Sequence, residues 1–359
     1  MGGGLVGSLA ALALIKKNKK TLVIEKSKTT YSDDRTLAVN ANSREFLKNL
    51  GLWEKLKSKP EDIKKIKIKD NINFESLIFD SQEETMGSVI FNKDLLKIAH
   101  NELKIKNLIY KDINIPINNL LPHQVITINK KKFNFKKIIV CVGKNYLNSK
   151  VLKKFSFRSN HNSFVGFFNH TKQHNNVAYE HFTNQGPLAV LPAPKKEKKL
   201  STFIFSTKEK MNIKKIEILI KKNFQQSHGE INLISKLSTF PINPHISKPN
   251  NINYLLIGDT LRSIHPVAGQ GWNLGIKDIQ DLLSIIDANS LEHKHFNHLY
   301  YAKRSFDNVS YLFFTSLLNN LYENQNIVSS NLIRFGFQSL LRFSSLKDLF
   351  IKQAMGRLF

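Results

Sequence analysis

Gly258-Asp259-Thr260-Leu261-Arg262-Ser263-Ile264-His265-Pro266-Val267-Ala268-Gly269-Gln270-Gly271-Trp272-Asn273-Leu274-Gly275 follows directly on the apolar run Tyr254-Leu255-Leu256-Ile257. That run is hydrophobic without a break, as a strand buried on both faces should be. An acid, Asp259, stands just past the strand end, and the turn Gly269-Gln270-Gly271 then opens a helix through Asn273. Open α/β sheets bind ligands outside the carboxyl ends of their strands, so this order of strand, acid, glycine turn and helix reads as a binding crevice. An acid there can accept hydrogen bonds from the hydroxyls of a ligand. The dipole of the helix that follows can stabilise negative charge on a ligand bound there.

A second glycine cluster stands at the other end of the chain. Gly2-Gly3-Gly4-Leu5-Val6-Gly7 fits the G-x-G-x-x-G pattern, with Gly2, Gly4 and Gly7 permitting a tight turn and close approach of backbone to a pyrophosphate. The β-prone run Thr21-Leu22-Val23-Ile24 ends at Glu25, where an acid accepts hydrogen bonds from an adenosine ribose. Because Met1 abuts Gly2, the strand that should feed this turn is missing, and about 5–10 further residues ahead of it are expected. Asn42 with Glu45 resembles a capping box for a helix through Phe46, Leu47 and Leu50 that stops at Gly51. Short apolar runs between Ile63 and Phe91 predict strands, Asn92 to Leu103 predicts a helix, and Ile138 to Val142 predicts a second buried strand. Ser163 to Pro244, with many short β-like runs and Pro187, Pro192 and Pro194, predicts an antiparallel sheet, and the chain from Gln280 onward reads as helical.

Composition narrows the function classes. A chain of 359 residues with 41% hydrophobic and 23% charged residues buries a substantial core, which excludes global disorder. The single cysteine, Cys141, excludes an intrachain disulfide and a cysteine-cluster metal site, and a reducing compartment is expected. The net charge of +26 comes from scattered lysines such as Lys16-Lys17-Asn18-Lys19-Lys20, beside an excess of Ile and Asn that suggests an AT-biased genome. It reads as solvated surface lysine, with attraction to an anionic membrane or a nucleotide as the alternative, and no specific nucleic-acid binding is expected. Leu5 to Ile15 is too short to span a bilayer, which needs about 20 residues, and its positive charges follow it, the reverse of a signal peptide. No Ser-His-Asp or HExxH pattern is present, so no catalytic side chain and no metal ligand is nominated. His265 reads as a structural or cofactor-contact residue.

The segment from Gly258 to Gly275 resembles the flavin-binding signature of the polyprenylphenol hydroxylases of ubiquinone biosynthesis, a branch of the group A flavoprotein monooxygenases. Asp33-Asp34-Arg35-Thr36-Leu37-Ala38-Val39 followed by Ser43 to Trp53 is similar to the family stretch that places an arginine near the flavin, a role that falls to Arg35. Tyr179-Glu180-His181-Phe182-Thr183-Asn184-Gln185-Gly186-Pro187-Leu188-Ala189-Val190-Leu191-Pro192 is similar to the strand-turn-strand beside the substrate in this branch. Two positions depart from the family. Val142-Gly143 stands where an Asp-Gly pair is usual, which bears on flavin reduction. Thr260-Leu261-Arg262 replaces a small pair and a histidine, which predicts more positive charge near the flavin.

The resemblance implies an α/β fold like that of p-hydroxybenzoate hydroxylase: a Rossmann-like FAD-binding domain (1–62, 92–154 and 250–300), an inserted, mostly antiparallel substrate domain (63–91 and 155–249) and C-terminal helices (301–359), with the first strand missing. FAD is then bound by Gly2, Gly4, Gly7, Glu25, Arg35, Gly258, Asp259, Pro266, Gly269, Gln270, Gly271 and Asn273. NADPH or NADH binds transiently as reductant, and dioxygen reacts with the reduced flavin to give a hydroperoxide that hydroxylates a lipophilic polyprenylphenol ring. The expected location is cytoplasmic and peripheral on the inner membrane. The tail around Leu332, Phe335, Leu340, Leu341, Phe343, Leu346 and Phe350, with Arg334, Arg342, Lys347 and Lys352, is amphipathic and basic, and either packs on its own domain or offers a membrane or partner surface. The expected partner is a peripheral membrane surface or a ubiquinone-biosynthesis complex. The missing strand and Val142 motivate an alternative, a non-catalytic assembly subunit that keeps the fold.

Overall fold

The computed structural model describes residues 1–28, 34–57, 59–73, 75–80, 85–117, 120, 122–146, 152–156, 159–194, 197–250, 254–265, 270–288, 295–324 and 326–357. In chain order the elements are α1 (Leu5–Lys16), β1 (Val23–Ile24), β2 (Thr36–Asn40), α2 (Ala41–Asn49), β3 (Glu61–Ile63), β4 (Lys65–Asp70), β5 (Leu77–Asp80), β6 (Gly87–Phe91), α3 (Asn92–Ile105) and β7 (Ile109–Tyr110). There follow β8 (Val125–Ile128), β9 (Lys131–Asn134), β10 (Ile138–Val140), β11 (Leu152–Ser156), β12 (Asn162–His170), β13 (Val177–Thr183), β14 (Gly186–Pro192) and β15 (Leu200–Thr207). The remainder comprises α4 (Ile213–His228), β16 (Ile231–Leu233), β17 (Ser238–Pro241), β18 (His245–Pro249), β19 (Tyr254–Leu256), β20 (Arg262–Ser263), α5 (Gln270–Ala288), α6 (Phe296–Glu323), α7 (Ile327–Arg342) and α8 (Ser344–Ala354).

Parallel pairing builds the cofactor body. β1 pairs with β7, and β10 with β19. The two pairs are bridged by the first residues of the chain: Gly2 N donates to Ile24 O at 2.9 Å, the Met1 amino group donates to Ile139 O at 2.8 Å, and Cys141 N donates to Met1 O at 2.8 Å. No strand is assigned at Met1–Gly2, but these residues sit in the central register. α1 is apolar nearly all round because it packs against both α3 and α5, with Leu9, Leu47, Leu95, Leu103, Ile276 and Ile279 in one core.

The antiparallel body is an eight-stranded sheet in the order β5-β4-β13-β14-β15-β12-β16, with β17 also on β12; only β4 and β13 run parallel. Strand alternation divides its side chains between two coverings. Leu188, Val190, Phe203 and Phe205 meet Ile216, Ile220 and Phe224 of α4. Ala178 and Leu191 meet Phe337 of α7, and Phe182 stacks on Tyr322 of α6 with ring centroids 4.4 Å apart. Of the stretch 63–91, β4 and β5 join this sheet, whereas β6 pairs with β2 and β3 in a separate three-stranded sheet. A further sheet, β11-β18-β20, ties the two bodies together.

Two local readings change. The cap of α2 is Asn40, whose side chain accepts Ser43 N at 2.8 Å; β2 runs extended into Asn40 and so delivers this residue, not Asn42, to the first turn. α5 begins at Gln270, at the glycine turn that the sequence reads as opening a helix. α4 was not expected within the antiparallel region, yet Ile216, Ile220 and Phe224 follow helical spacing and Asn212 caps it by accepting Lys215 N at 2.9 Å.

Candidate cofactor site

The glycine turn is shaped by close backbone approaches. Gly2 has φ +94°, and a Cβ there would lie 2.3 Å from Cys141 O; a Cβ on Gly7 would lie 2.1 Å from Gly2 O. Neither position admits a side chain. Gly4 is the N-cap of α1, no side chain caps the helix, and a Cβ on Gly4 would meet nothing within 4 Å. No side chain satisfies the first N–H groups of α1, and Gly4 leaves open space beside the turn, an arrangement that suits an anion.

Glu25 closes the turn from the side. Its Oε2 accepts Gly3 N at 2.6 Å, and its Oε1 accepts both Ser27 N and Ser27 Oγ at 2.9 Å. Burial works against its charge, but the N–H groups of Ser27 and Gly3 prevail and hold its carboxyl below the usual range. His100 on α3, which sequence reading passed over, is also part of this turn. It is fully buried, its Nε2 donates to Gly3 O at 2.6 Å, and its Nδ1 accepts from Lys111 at 3.0 Å. Burial lowers its pKa, so it serves as a neutral donor with a defined tautomer. Ser8 Oγ donates to the same carbonyl at 3.0 Å.

The second segment meets the first at Val6. A Cβ on Gly258 would lie 3.2 Å from Val6 Cγ1, and one on Gly275 3.0 Å from Val6 Cγ2, so α1, the end of β19 and α5 converge on one point. Asp259 lies in a single 3₁₀ turn with its carboxylate exposed, and among the described residues it makes no hydrogen bond. Its backbone carbonyl is held by the buried His245, whose Nε2 lies 3.1 Å away. Gly271 lies in the first turn of α5 facing open space. The amide of Asn273 is engaged by β2, with Nδ2 donating to Ala38 O at 2.9 Å and Oδ1 accepting Asn40 N at 3.1 Å. Asn273 thus anchors the α5 N-terminus to the strand that follows Arg35. Gln270 starts α5; its side chain, Pro266 and Gly269 lie outside the described residues, as does Asp33.

Arg35 stands apart from this convergence. It is exposed, its guanidinium carbon lies 4.7 Å above the ring of Phe240 on β17, and it is therefore on the side of the antiparallel sheet. Val142 is half-buried at the end of β10, and Gly143, at φ +66°, turns the chain there.

The expectation that Arg262 adds positive charge near the flavin is overturned. Arg262 is buried, its Nη1 donates to both oxygens of Asp278 at 2.8 Å, and Asp278 also accepts Arg304 Nε at 2.8 Å and Gly258 N at 2.9 Å. Asp281 accepts Arg304 Nη1 at 2.9 Å, and Asp307 accepts it at 2.5 Å. Lys277 and Lys303 also pair with Asp281, at 3.1 and 3.4 Å, so Arg262 is one member of a closed ionic cluster rather than a free cation beside the cofactor. Sequence contained the signal, since Asp278 and Asp281 lie one turn apart on one face of α5. His265 is buried with neither ring nitrogen bonded among the described residues, and burial pushes it down to about 4.

These residues fit an FAD: uncapped helix N–H groups for a pyrophosphate, an ionised Glu25 beside them, and a free carboxylate, Asp259, at the neighbouring strand end. Comparison with known proteins agrees. The profile of the FAD binding domain family matches residues 1–104 and 155–294. The ubiquinone biosynthesis monooxygenase COQ6 of Dictyostelium discoideum is 24% identical over 455 residues, covering 99% of this chain and 90% of its own. The ubiquinone hydroxylase UbiL of Rhodospirillum rubrum is 24% identical over 391 residues, covering 100% and 89%. Among solved structures, the flavin-dependent brominase Bmp2 superposes with TM-score 0.75 at 14% identity over 100% of this chain and 92% of its own. The p-nitrophenol 4-monooxygenase PnpA of Pseudomonas putida does so with TM-score 0.72 at 12% identity over 99% and 96%. At such identities the structural likeness shows the fold alone. With the glycine turn, Glu25 and Asp259 in place and the family profile matched over most of its length, the chain belongs to the FAD binding domain family and takes FAD as its bound cofactor.

Proposed function

We propose that this protein is an FAD-dependent monooxygenase that hydroxylates the aromatic ring of a polyprenylated phenol in ubiquinone biosynthesis, with NADPH or NADH as transient reductant and dioxygen as oxidant. The observation that carries this reading is the similarity, over the whole chain, to proteins named as ubiquinone hydroxylases, together with the two acids, Glu25 and Asp259, set at the two ends of a nucleotide crevice. When bound, FAD supplies the electron transfer and the activation of oxygen.

The chain's own residues bind and position. The α1 N–H groups receive the pyrophosphate, Glu25 accepts from a ribose hydroxyl, and Asp259 accepts from the ribityl chain. The N-terminus of α5 favours negative charge on a neighbouring ring edge. The resemblance implies that the β13–β14 hairpin lies beside the substrate, on a sheet held rigid by the packing of β14 under α4 and α7. The substrate's apolar tail stays in lipid, so the enzyme meets it as a peripheral protein on the cytoplasmic side of the inner membrane, alone or in a ubiquinone-biosynthesis complex. Among the described residues no helix is long and apolar enough to cross a bilayer.

Expression of the chain should give a yellow protein with one FAD that oxidises NAD(P)H and converts a prenylated phenol to a product one oxygen atom heavier. Bound FAD without hydroxylated product would overturn the substrate assignment. A colourless but folded protein would instead favour the assembly-subunit alternative.

A further inference from the structure

Helix α6 buries both apolar and polar side chains, among them Leu312 and Tyr322, and still leaves a stripe of apolar ones outside. Its inner side buries Arg304, Asn308, Thr315 and Asn319, while Val309, Phe313 and Leu317, at helical spacing, lie on its exposed side, with Phe313 67% exposed. Helix α7 continues the pattern: Ile333 and Phe337 are buried, whereas Val328, Leu332 and Phe335 face outward, Phe335 being 72% exposed. The inner sides of both helices meet the same cluster, Phe182, Tyr322 and Ile333, so their outer sides both look away from the protein. Among the described residues nothing covers them. A continuous stripe of exposed aromatic and aliphatic side chains over two helices is not what water alone favours.

The charge around these side chains selects the occupant. Along α7 and α8 the basic residues are Arg334, Arg342, Lys347 and Lys352, the only acid is Asp348, and none of the four cations forms an ion pair among the described residues. An apolar stripe beside unpaired cations is complementary to a surface with an apolar interior and an anionic exterior. We propose that the outer face of α6 and α7, with the basic residues of α7 and α8, is the surface by which this protein lies on an anionic lipid bilayer. This deepens the functional reading, on which it rests for the reason such a surface is needed. It also assigns the role to α6 and α7, with Phe350 excluded, since that ring packs on Phe79 with centroids 5.8 Å apart.

The test is flotation of the FAD-loaded full chain with vesicles of phosphatidylcholine containing phosphatidylglycerol, and with vesicles of phosphatidylcholine alone. The variants are the triple Phe313→Ser, Leu332→Ser, Phe335→Ser and the pair Arg334→Glu, Arg342→Glu. All five positions are exposed, so FAD absorbance and melting temperature should match wild type. Wild type should float with the anionic vesicles and detach in high salt, and each variant should lose binding by about tenfold or more. Unchanged binding of the triple variant, or no binding of wild type at low salt, overturns the proposal. A wild-type dimer that becomes monomeric in the triple variant with lipid binding intact also overturns it, and gives the face to a second copy. Vesicle binding is read without substrate. Binding without hydroxylation would therefore count against the proposed activity alone, and hydroxylation of a soluble short-chain phenol without binding would count against this surface alone.

Discussion

Glu25 and Asp259 are both acids at strand ends, but their surroundings make them different experiments. Glu25 already accepts three hydrogen bonds, from Gly3 N, Ser27 N and Ser27 Oγ, so Glu25→Gln disturbs the turn as well as the ligand. A hydrogen bond to a charged group contributes about 1.5–3 kcal/mol, so the variant should bind FAD roughly 10- to 150-fold more weakly and also melt at a lower temperature. Asp259 is exposed and unbonded among the described residues. Asp259→Ala should lose FAD on dialysis by a similar margin of about 1.5–3 kcal/mol while the apo-protein melts as wild type does. Retention of full flavin in that variant would remove Asp259 from the site. The two acids were legible in sequence because each closes a β-prone run. His100 was not, because its role depends on α3 bringing a ring to the Gly3 carbonyl, a contact across 97 positions of chain.

At the scale of elements, α5 and α6 are joined by charge in the interior. Arg304 is 0% exposed and reaches Asp278, Asp281 and Asp307. Removing one partner of a buried ionic group strands the others without compensation, so Arg304→Ala should cost about 3–5 kcal/mol in a urea titration. A loss under about 1 kcal/mol would mean that water replaces the guanidinium freely. Asp278 also holds Gly258 N, so the same variant should weaken FAD binding although Arg304 is remote from the glycine turn. The end of β10 invites the opposite kind of experiment. Val142 is half-buried beside Gly143, where the resemblance implies an acid, and Val142→Asp should speed reduction of the bound flavin by NAD(P)H in stopped flow. A slower or equal rate with FAD still bound would show that this strand end works as valine.

At the scale of the whole molecule, the antiparallel sheet stores a group of buried neutral histidines. Burial pushes His174 and His181 down to about 4 and His228 to about 3, and lowers His170 as well. His170 and His228 rings are 4.7 Å apart, so protonating one disfavours protonating the other. In the unfolded chain each titrates near 6.5. The unfolded state therefore takes up protons first, and stability is level above pH 6.5 and falls as pH drops toward 4. Glu323, held down to about 2 by His161, Lys208 and Asn319 against the effect of burial, adds loss of the same sign below pH 4.5. Urea midpoints at pH 7.5, 6 and 5 should decline in that order, and His228→Leu should flatten the decline. A midpoint that rises on acidification would contradict the neutral assignment.

Much of the fold was legible in the chain itself. Glycine turns, acids at strand ends and unbroken apolar runs are local consequences of backbone sterics and burial, and they located β1, β10, β19, α1 and the start of α5 with the crevice they frame. Local pattern also misled: β-prone runs on either side hid the helix α4, and Asn42 stood where a cap was plausible until β2 delivered Asn40 instead. Only the tertiary structure decided that Arg262 is neutralised by Asp278, that Asn273 serves β2, that Arg35 faces Phe240, and that α6 turns a stripe of apolar side chains outward. The physical reason is common to all four. A side chain's charge state, partner and exposure depend on which distant segment lies within a few ångströms, and one-dimensional periodicity contains the direction a residue faces but not what it meets there.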